Sequence, residues 1–270
     1  MGKIIQMQDV RDYSKDYLVS RVISFGKKVD GYSQIFYQTN EDLVDAYLDV
    51  DFKDKDVLSV MASGDHVLTS RFLEARKTDA FDCNRLTLYY FYLRLWALQY
   101  KKELYPKIMD GDNDWLEYLL RWVRPRNEQE ARAKMFFSQH VQDDTVMYKL
   151  FYDEEMQPDG RTLFTKPEEL SDCLSPELDF YHINLFEETH LPHTYDIALV
   201  SNIMDLTGVD PVKIHIAYEN LDRFIRPGGS IICSRLIYRS KDEMEVEKRI
   251  FEKSFEFIPK DEGYVYQKKN

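Results

Sequence analysis

The stretch VLSVMASGDHVLTSRFLEARKTDAFDCN, Val57 to Asn84, constrains the fold of this chain more than any other. VLSVMA is a short apolar run bounded by KDKD and SGD, the pattern of a strand buried on both faces. HVLTSRFLEA places Val67, Leu68, Phe72 and Leu73 on one helical face. KTDAFD predicts a second strand that ends in an acid, Asp82. Strand, tight turn, helix and strand make the repeating unit of a parallel sheet.

The alternation resumes toward the C-terminus. LDFYHI and YDIALVSNI predict strands, and DPVKIHIAYENLDRFI a helix that opens on Asp210 with a proline in its first turn. RPGG is expected to be a turn, SIICSRLIY a strand and KDEMEVEKRIFEK a helix. SFEFIP and GYVYQKK close the chain as two strands, in the pattern of a hairpin. The expected fold is Rossmann-like α/β, a mostly parallel sheet with helices on both faces.

Two segments fall outside that alternation. Residues 1–55 predict an N-terminal helical cap, with Leu43, Val44, Tyr47 and Leu48 at helical spacing and Asn40 as the N-cap. Residues 101–178 are polar and helical and too long for an ordinary connection, so they predict a helical insertion that forms the acceptor site. The Rossmann-like core is then 56–100 with 179–270. The intervening helix RLTLYYFYLRLWALQY is apolar all round and must be buried on several sides. Its tyrosines, Tyr89, Tyr90 and Tyr92, read as core.

Composition narrows the partners. The formal net charge is −12, which opposes a polyanion and so argues against nucleic acid, although Arg121, Arg124, Arg126 and Arg132 form one local basic cluster. No apolar run reaches the length of a membrane span, and the charged N-terminus has no signal-peptide core. Cys83, Cys173 and Cys233 are widely spaced and suit a reducing compartment. These features predict a cytoplasmic protein without integral membrane contact that acts on a small molecule. Oligomeric state is not legible.

In an open α/β sheet, ligands sit outside the carboxyl ends of the strands, near the first strand–turn–helix. Ser63, Gly64 and Asp65 occupy that turn. Asp82 follows at about the spacing, near 20 residues, at which an acid meets ribose hydroxyls. A dinucleotide would need G-x-G-x-x-G so that pyrophosphate can approach the helix. Here the turn reads S-G-D-H-V-L, and Asp65 would repel phosphate. No Gly-Lys-Ser/Thr follows, which excludes a P-loop. S-adenosylmethionine fits: it has a ribose, no phosphate, and a sulfonium and ammonium that a carboxylate favours.

The candidate cofactor residues are therefore Ser63, Gly64, Asp65, Asp82 and Asn84. Asn184 and Leu185 are candidates beside the adenine, and Ser201 and Asn202 at the end of the fourth strand. Tyr32, Gln34 and Tyr37 are candidates for a lid or acceptor contact. For Ser63–Asp65 the competing role is a turn with an aspartate cap, and for Asp82 a cap on the following helix. No catalytic residue and no general base is identified. His190 and His193 lack a third ligand, so no metal site is expected. DGDNDW fails as a calcium loop, because Trp115 stands where glycine is needed and Arg121 where glutamate is needed.

INLFEETHLPHTYDIALVSNIMDL and LDRFIRPGGSIICS resemble the strand-end and helix–PGG–strand segments of class I S-adenosylmethionine-dependent methyltransferases. YSQIFYQTNEDLVDAYL and VLSVMASGDHVLTSRFLEARKTDAFDCNRLTLYYFYLRL are similar to the 3-amino-3-carboxypropyl transferases of betaine-lipid synthesis. Arg85 departs from that family, which has proline there, and so do the insertion and LVSNIMDL. The resemblance implies an S-adenosylmethionine-dependent transferase, in the first place a methyltransferase on a small molecule, with aminocarboxypropyl transfer as the alternative. A fold that binds the cofactor or serves as an interaction module without catalysis is the alternative from another class.

Overall fold

A computed structural model describes residues 41–47, 49–109, 115–140, 169–170, 178–201, 203, 210–234, 241–260 and 263–270. Tyr32, Gln34, Tyr37, Asn40, Cys173, Asn202 and the segment DTVMYKLFYDEEM lie outside the described residues. In chain order the first elements are α1 (Leu43–Tyr47), β1 (Asp56–Val60), α2 (Asp65–Phe72), β2 (Lys77–Asp82), α3 (Arg85–Tyr100), α4 (Tyr105–Met109), α5 (Leu116–Trp122) and α6 (Glu128–His140). They are followed by β3 (Phe180–His182), β4 (Tyr195–Leu199), α7 (Pro211–Phe224), β5 (Ile225–Ser234), α8 (Lys241–Phe251), β6 (Phe255–Lys260) and β7 (Gly263–Lys268). The chain divides into two compact units, Gln38–Arg85 with Pro158–Asn270, and Met1–Tyr37 with Leu86–Gln157.

The first unit holds a seven-stranded sheet in the order β3-β2-β1-β4-β5-β7-β6. The strands from β3 to β5 are parallel, and β7 runs antiparallel to both β5 and β6. This is a Rossmann-like α/β fold, as expected. SFEFIP and GYVYQKK form the anticipated hairpin, with Lys260 paired to Gly263 at its turn.

Alternation along the strands explains the two cores. Leu58, Val60, Ala198, Ile231, Cys233, Tyr264 and Tyr266 face one side, against Ile214, Ala217, Leu221 and Phe224 of α7 and Phe251 of α8. Val57, Ile197, Leu199, Ile232 and Val265 face the other side, against Leu43 and Tyr47 of α1 and Phe52. A strand covered on both faces must be apolar at successive positions, which is why YDIALV and SIICS carry so little charge.

Local signals set the helix ends. Asp210 caps α7, accepting from the amides of Val212 at 3.0 Å and Lys213 at 3.4 Å, with Pro211 following where no amide donor is needed. The expected cap at Asn40 is corrected: α1 begins at Leu43, and Asp42 accepts from Val44 N at 3.1 Å. RPGG is also corrected. It lies inside β5, where the pairing with β4 shifts register between Tyr195 and Ile197. The two glycines absorb this bulge: Gly228 has φ 74°, and a Cβ on Gly229 would lie 2.7 Å from the Asp196 carbonyl oxygen.

The amino ends of β1, β4 and β5 are tied by charge. Arg76 forks onto Asp56 at 2.9 and 2.7 Å. Arg226 bridges Asp56 at 2.8 Å and Asp196 at 3.0 Å. Hydrogen bonding from Arg76, reinforced by Arg226, holds the Asp56 carboxyl below its usual range.

The second unit is helical among its described residues. Every residue of α3 from Leu86 to Leu98 is buried, Tyr89, Tyr90 and Tyr92 included, so the tyrosines serve as core. Tyr92 donates to Gln129 of α6 at 3.1 Å, and the Tyr89 and Phe136 rings lie 5.8 Å apart. The arginine cluster is largely internally neutralised. Arg121, Arg126 and Arg132 pair with Glu117, Glu130 and Glu128, each at 2.6 Å, and Arg124 donates to the Arg121 and Val123 carbonyls. Among the described residues, no helix is long and apolar enough to cross a membrane.

Candidate functional site

The strands β3, β2, β1 and β4 end along one edge of the sheet, and the chain order reverses between β1 and β4. In sheets of this type the general ligand position is the crevice outside the strands' carboxyl ends at such a reversal. The sequence candidates that the structure describes all fall on this edge: Ser63–Asp65 after β1, Asp82 and Asn84 at the end of β2, Asn184 and Leu185 after β3, and Ser201 after β4.

The turn after β1 is tight. Gly64 N donates to the Met61 carbonyl at 2.6 Å, and Gly64 has φ 92°, the left-handed conformation that glycine adopts without Cβ strain. Ala62 also has positive φ, 44°, as does Ser201 after β4, at 56°. Strained backbone of this kind persists where surrounding structure enforces it and is frequent at functional sites. Gly64 is the N-cap of α2, without a side-chain cap bond, and Asp65 is the first helical residue. Asp65 is therefore not the cap. It is fully buried and accepts from Ser63 Oγ at 2.7 Å.

Asp82 is half-buried and welds two strand ends together. One carboxylate oxygen accepts from Ala62 N at 3.0 Å and the other from Asn84 N at 2.8 Å. Asn84 is buried beside it. His182 at the end of β3 meets the Cys83 carbonyl at 2.9 Å.

Asn184 and Leu185 build the loop after β3. Asn184 accepts from Phe186 N at 3.1 Å and donates to Glu187 at 3.0 Å. The Leu185 side chain is buried in the core, and its carbonyl accepts from Asn220 of α7 at 2.8 Å.

A chain of buried polar groups crosses from β4 to the turn after β1. Ser201 Oγ donates to one oxygen of Glu41. The other oxygen of Glu41 lies 3.4 Å from His66 Nε2. His66 Nδ1 is 2.6 Å from the Tyr47 hydroxyl. All four side chains are buried: Glu41 is 5% exposed, Ser201 6%, and His66 and Tyr47 1% each. Burial, then the Glu41 carboxylate and Cys233, keep the Tyr47 phenol well above its ordinary pKa, so it stays protonated. Of these four only Ser201 was a sequence candidate. Tyr47 read as part of an apolar helix face, and Glu41 and His66 carry no local signal that sets them apart.

His190 and His193 line a surface cavity of about 480 Å3 with Arg223 and Arg226. A second cavity of about 560 Å3 includes Lys55, Asp196, Gly228 and Lys260. Both are built around the amino ends of β4 and β5, away from the carboxyl edge. Among the described residues, no group of three or more His, Cys, Asp or Glu could hold a metal ion.

No protein-family model matches the chain, and no curated protein sequence matches it. Among solved structures it is similar to the N-methyltransferase NodS from Bradyrhizobium japonicum WM9, at 6% identity and a TM-score of 0.37, over 81% of this chain and 88% of that one. It is also similar to the glycopeptide N-methyltransferase MtfA in complex with S-adenosyl-L-homocysteine, at 8% identity and a TM-score of 0.40, over 92% and 94%. At these scores neither superposition carries weight beside the site's own geometry.

Proposed function

We propose that this chain is an S-adenosylmethionine-dependent transferase, and specifically a methyltransferase acting on a small molecule. The carrying observation is Asp82, an acid at the end of β2 bonded back to the turn after β1 beside the switch point. A ribose diol suits its two oxygens. Ser63, Gly64 and Asp65 would flank the methionyl part, and the single glycine is enough because no pyrophosphate has to approach. Asn84 would close the pocket, and the Asn184–Leu185 loop would border the adenine. Ser201 would face the reacting carbon.

The cofactor, when bound, supplies a carbon already activated by a positively charged sulfur leaving group. What remains for the protein is to align an acceptor with that carbon, exclude water, and receive any proton the acceptor sheds. Aminocarboxypropyl transfer uses the same pocket with a different carbon presented, and Asp82 and Asp65 serve both reactions equally.

The test is titration calorimetry of S-adenosylmethionine into the wild-type chain and into Asp82→Ala. Saturable binding by the first and at least a tenfold loss in the second are expected. Equal affinities would remove Asp82 from the site, and no binding by the wild type would remove the cofactor.

A further inference from the structure

The cavity of about 480 Å3 at the amino ends of β4 and β5 stands apart from the carboxyl edge and lies wholly within the unit that holds the sheet. Its volume is that of a small-molecule site, about 300–1,000 Å3. Its walls come from the HLPHT segment that leads into β4, the last turn of α7 and the start of β5. Of its eight lining residues four are basic, His190, His193, Arg223 and Arg226, and none is acidic. In a chain with 48 acids and a net charge of −12, such a lining is a local inversion of charge. Distant carboxylates do not undo it, because fields are screened beyond a Debye length of about 8 Å at physiological salt.

The two guanidiniums differ. Arg226 is occupied by the sheet: it donates to Thr194 Oγ1 at 3.3 Å, Asp196 at 3.0 Å and Asp56 at 2.8 Å, so it shapes the wall. Arg223 also has a structural use, at the negative end of α7. Its Nε donates to the Glu219 carbonyl at 3.2 Å, and one terminal nitrogen donates to Asn220 Oδ1 at 2.7 Å. Asn220 is buried and donates in turn to the Leu185 and Glu187 carbonyls, both at 2.8 Å, so the guanidinium is fixed from behind.

The other terminal nitrogen of Arg223 has no part in that use. It makes only long contacts, 3.4 Å to His190 Nδ1 and 3.9 Å to Glu188. The Glu188 side chain is 79% exposed, and an ion pair of that kind is worth little. His190 turns Nδ1 toward the guanidinium, which favours the tautomer with its proton on Nε2. His193 adds a further donor in either charge state, since a neutral imidazole keeps one N–H. The Thr194 hydroxyl accepts from Arg226 and has its own proton to donate.

We propose that this cavity binds a phosphate monoester of a small molecule, with the phosphate anchored by Arg223 and by His190, His193 and Thr194. A guanidinium fork matches phosphate oxygens, and four donor-bearing side chains suit a phosphate's three terminal oxygens better than a carboxylate's two. Leu191 and Pro192 offer apolar wall to the carbon skeleton. The site stands or falls independently of the S-adenosylmethionine assignment.

The experiment titrates the full chain with glycerol 3-phosphate at constant ionic strength and about pH 7.5, where the phosphate is close to doubly charged. Heat is followed by calorimetry, and the histidine ring protons by NMR, their signals assigned with His190→Asn and His193→Asn. Saturable binding in the millimolar range or tighter is expected, with the His190 and His193 signals moving along the same isotherm. Inorganic phosphate should compete, and glycerol should not. Arg223→Gln should weaken binding about tenfold or more, the effect of losing one charge-assisted hydrogen bond. Arg223→Lys, which keeps the charge and loses the fork, should fall between. Lys55→Gln, in the other cavity, should change nothing. The wild-type histidine signals carry the test if the Arg223 variants do not fold. No saturable binding, His190 and His193 signals unmoved at saturation, competition by glycerol, or equal affinity in wild type and Arg223→Gln would each overturn the proposal.

Discussion

Asp82 Oδ2 accepts a hydrogen bond from the Ala62 amide at 3.0 Å, so the acid that ends β2 also fixes the turn that follows β1. One residue thereby couples the backbone of the first strand–turn–helix to the group assigned to the ribose. Substitution at Asp82 has two consequences that can be separated.

Asp82→Ala should lose two charge-assisted ribose hydrogen bonds, each worth about 1.5–3 kcal/mol. Asp82→Asn keeps one acceptor oxygen and should lose less. Calorimetric affinities for S-adenosylmethionine rank wild type above Asn above Ala on this account. A fall in melting temperature without a fall in affinity would assign Asp82 to the turn alone.

Asp65→Asn should weaken S-adenosylmethionine more than adenosine, because only the former carries the sulfonium and ammonium that a carboxylate attracts. The measurement is a pair of dissociation constants for each protein. Equal losses for the two ligands would make Asp65 a structural partner of Ser63 and nothing more.

Asp56 predicts acid lability. Its folded pKa is depressed by Arg76 and Arg226, so its stabilising contribution is complete above the unfolded carboxylate pKa, about 3.9, and is lost as pH falls through the folded value. Asp56→Asn should cost about 2 kcal/mol near neutrality, through its lost charged hydrogen bonds, and progressively less as pH falls below the unfolded carboxylate range. Denaturant unfolding of both proteins across that range checks the convergence.

Gly229→Ala should destabilise by about 1–3 kcal/mol, since the added methyl would press on the Asp196 carbonyl at 2.7 Å and the Ile225 side chain at 2.8 Å. Urea midpoints of the two proteins measure it. An unchanged midpoint would mean that the β4–β5 bulge relaxes freely.

The strands were legible because burial on two faces leaves an apolar run punctuated by glycine, proline and acids, as in KDKD-VLSVMA-SGD. Asp210 and Pro211 announced α7 by local capping chemistry. RPGG misled for the opposite reason: proline and glycine signal a turn locally, while the pairing of β5 with β4 carries them through as a bulge. The displaced cap at Asp42 shows the same limit over two positions. The Asp82 assignment came from spacing along one βαβ unit, a local relationship. The Glu41–His66–Tyr47–Ser201 line was not legible, since Ser201 and Glu41 are 160 positions apart and only the folded sheet brings them together.

The most direct test of the central claim is a thermal-shift series with S-adenosylmethionine, S-adenosylhomocysteine, methylthioadenosine and NAD. Ligand at about a hundred times its dissociation constant stabilises by roughly 2.7 kcal/mol. Stabilisation by S-adenosylmethionine and S-adenosylhomocysteine but not by NAD is the predicted result. A flat response to all four, or a response to NAD alone, would contradict the assignment of the β1–β4 crevice to S-adenosylmethionine.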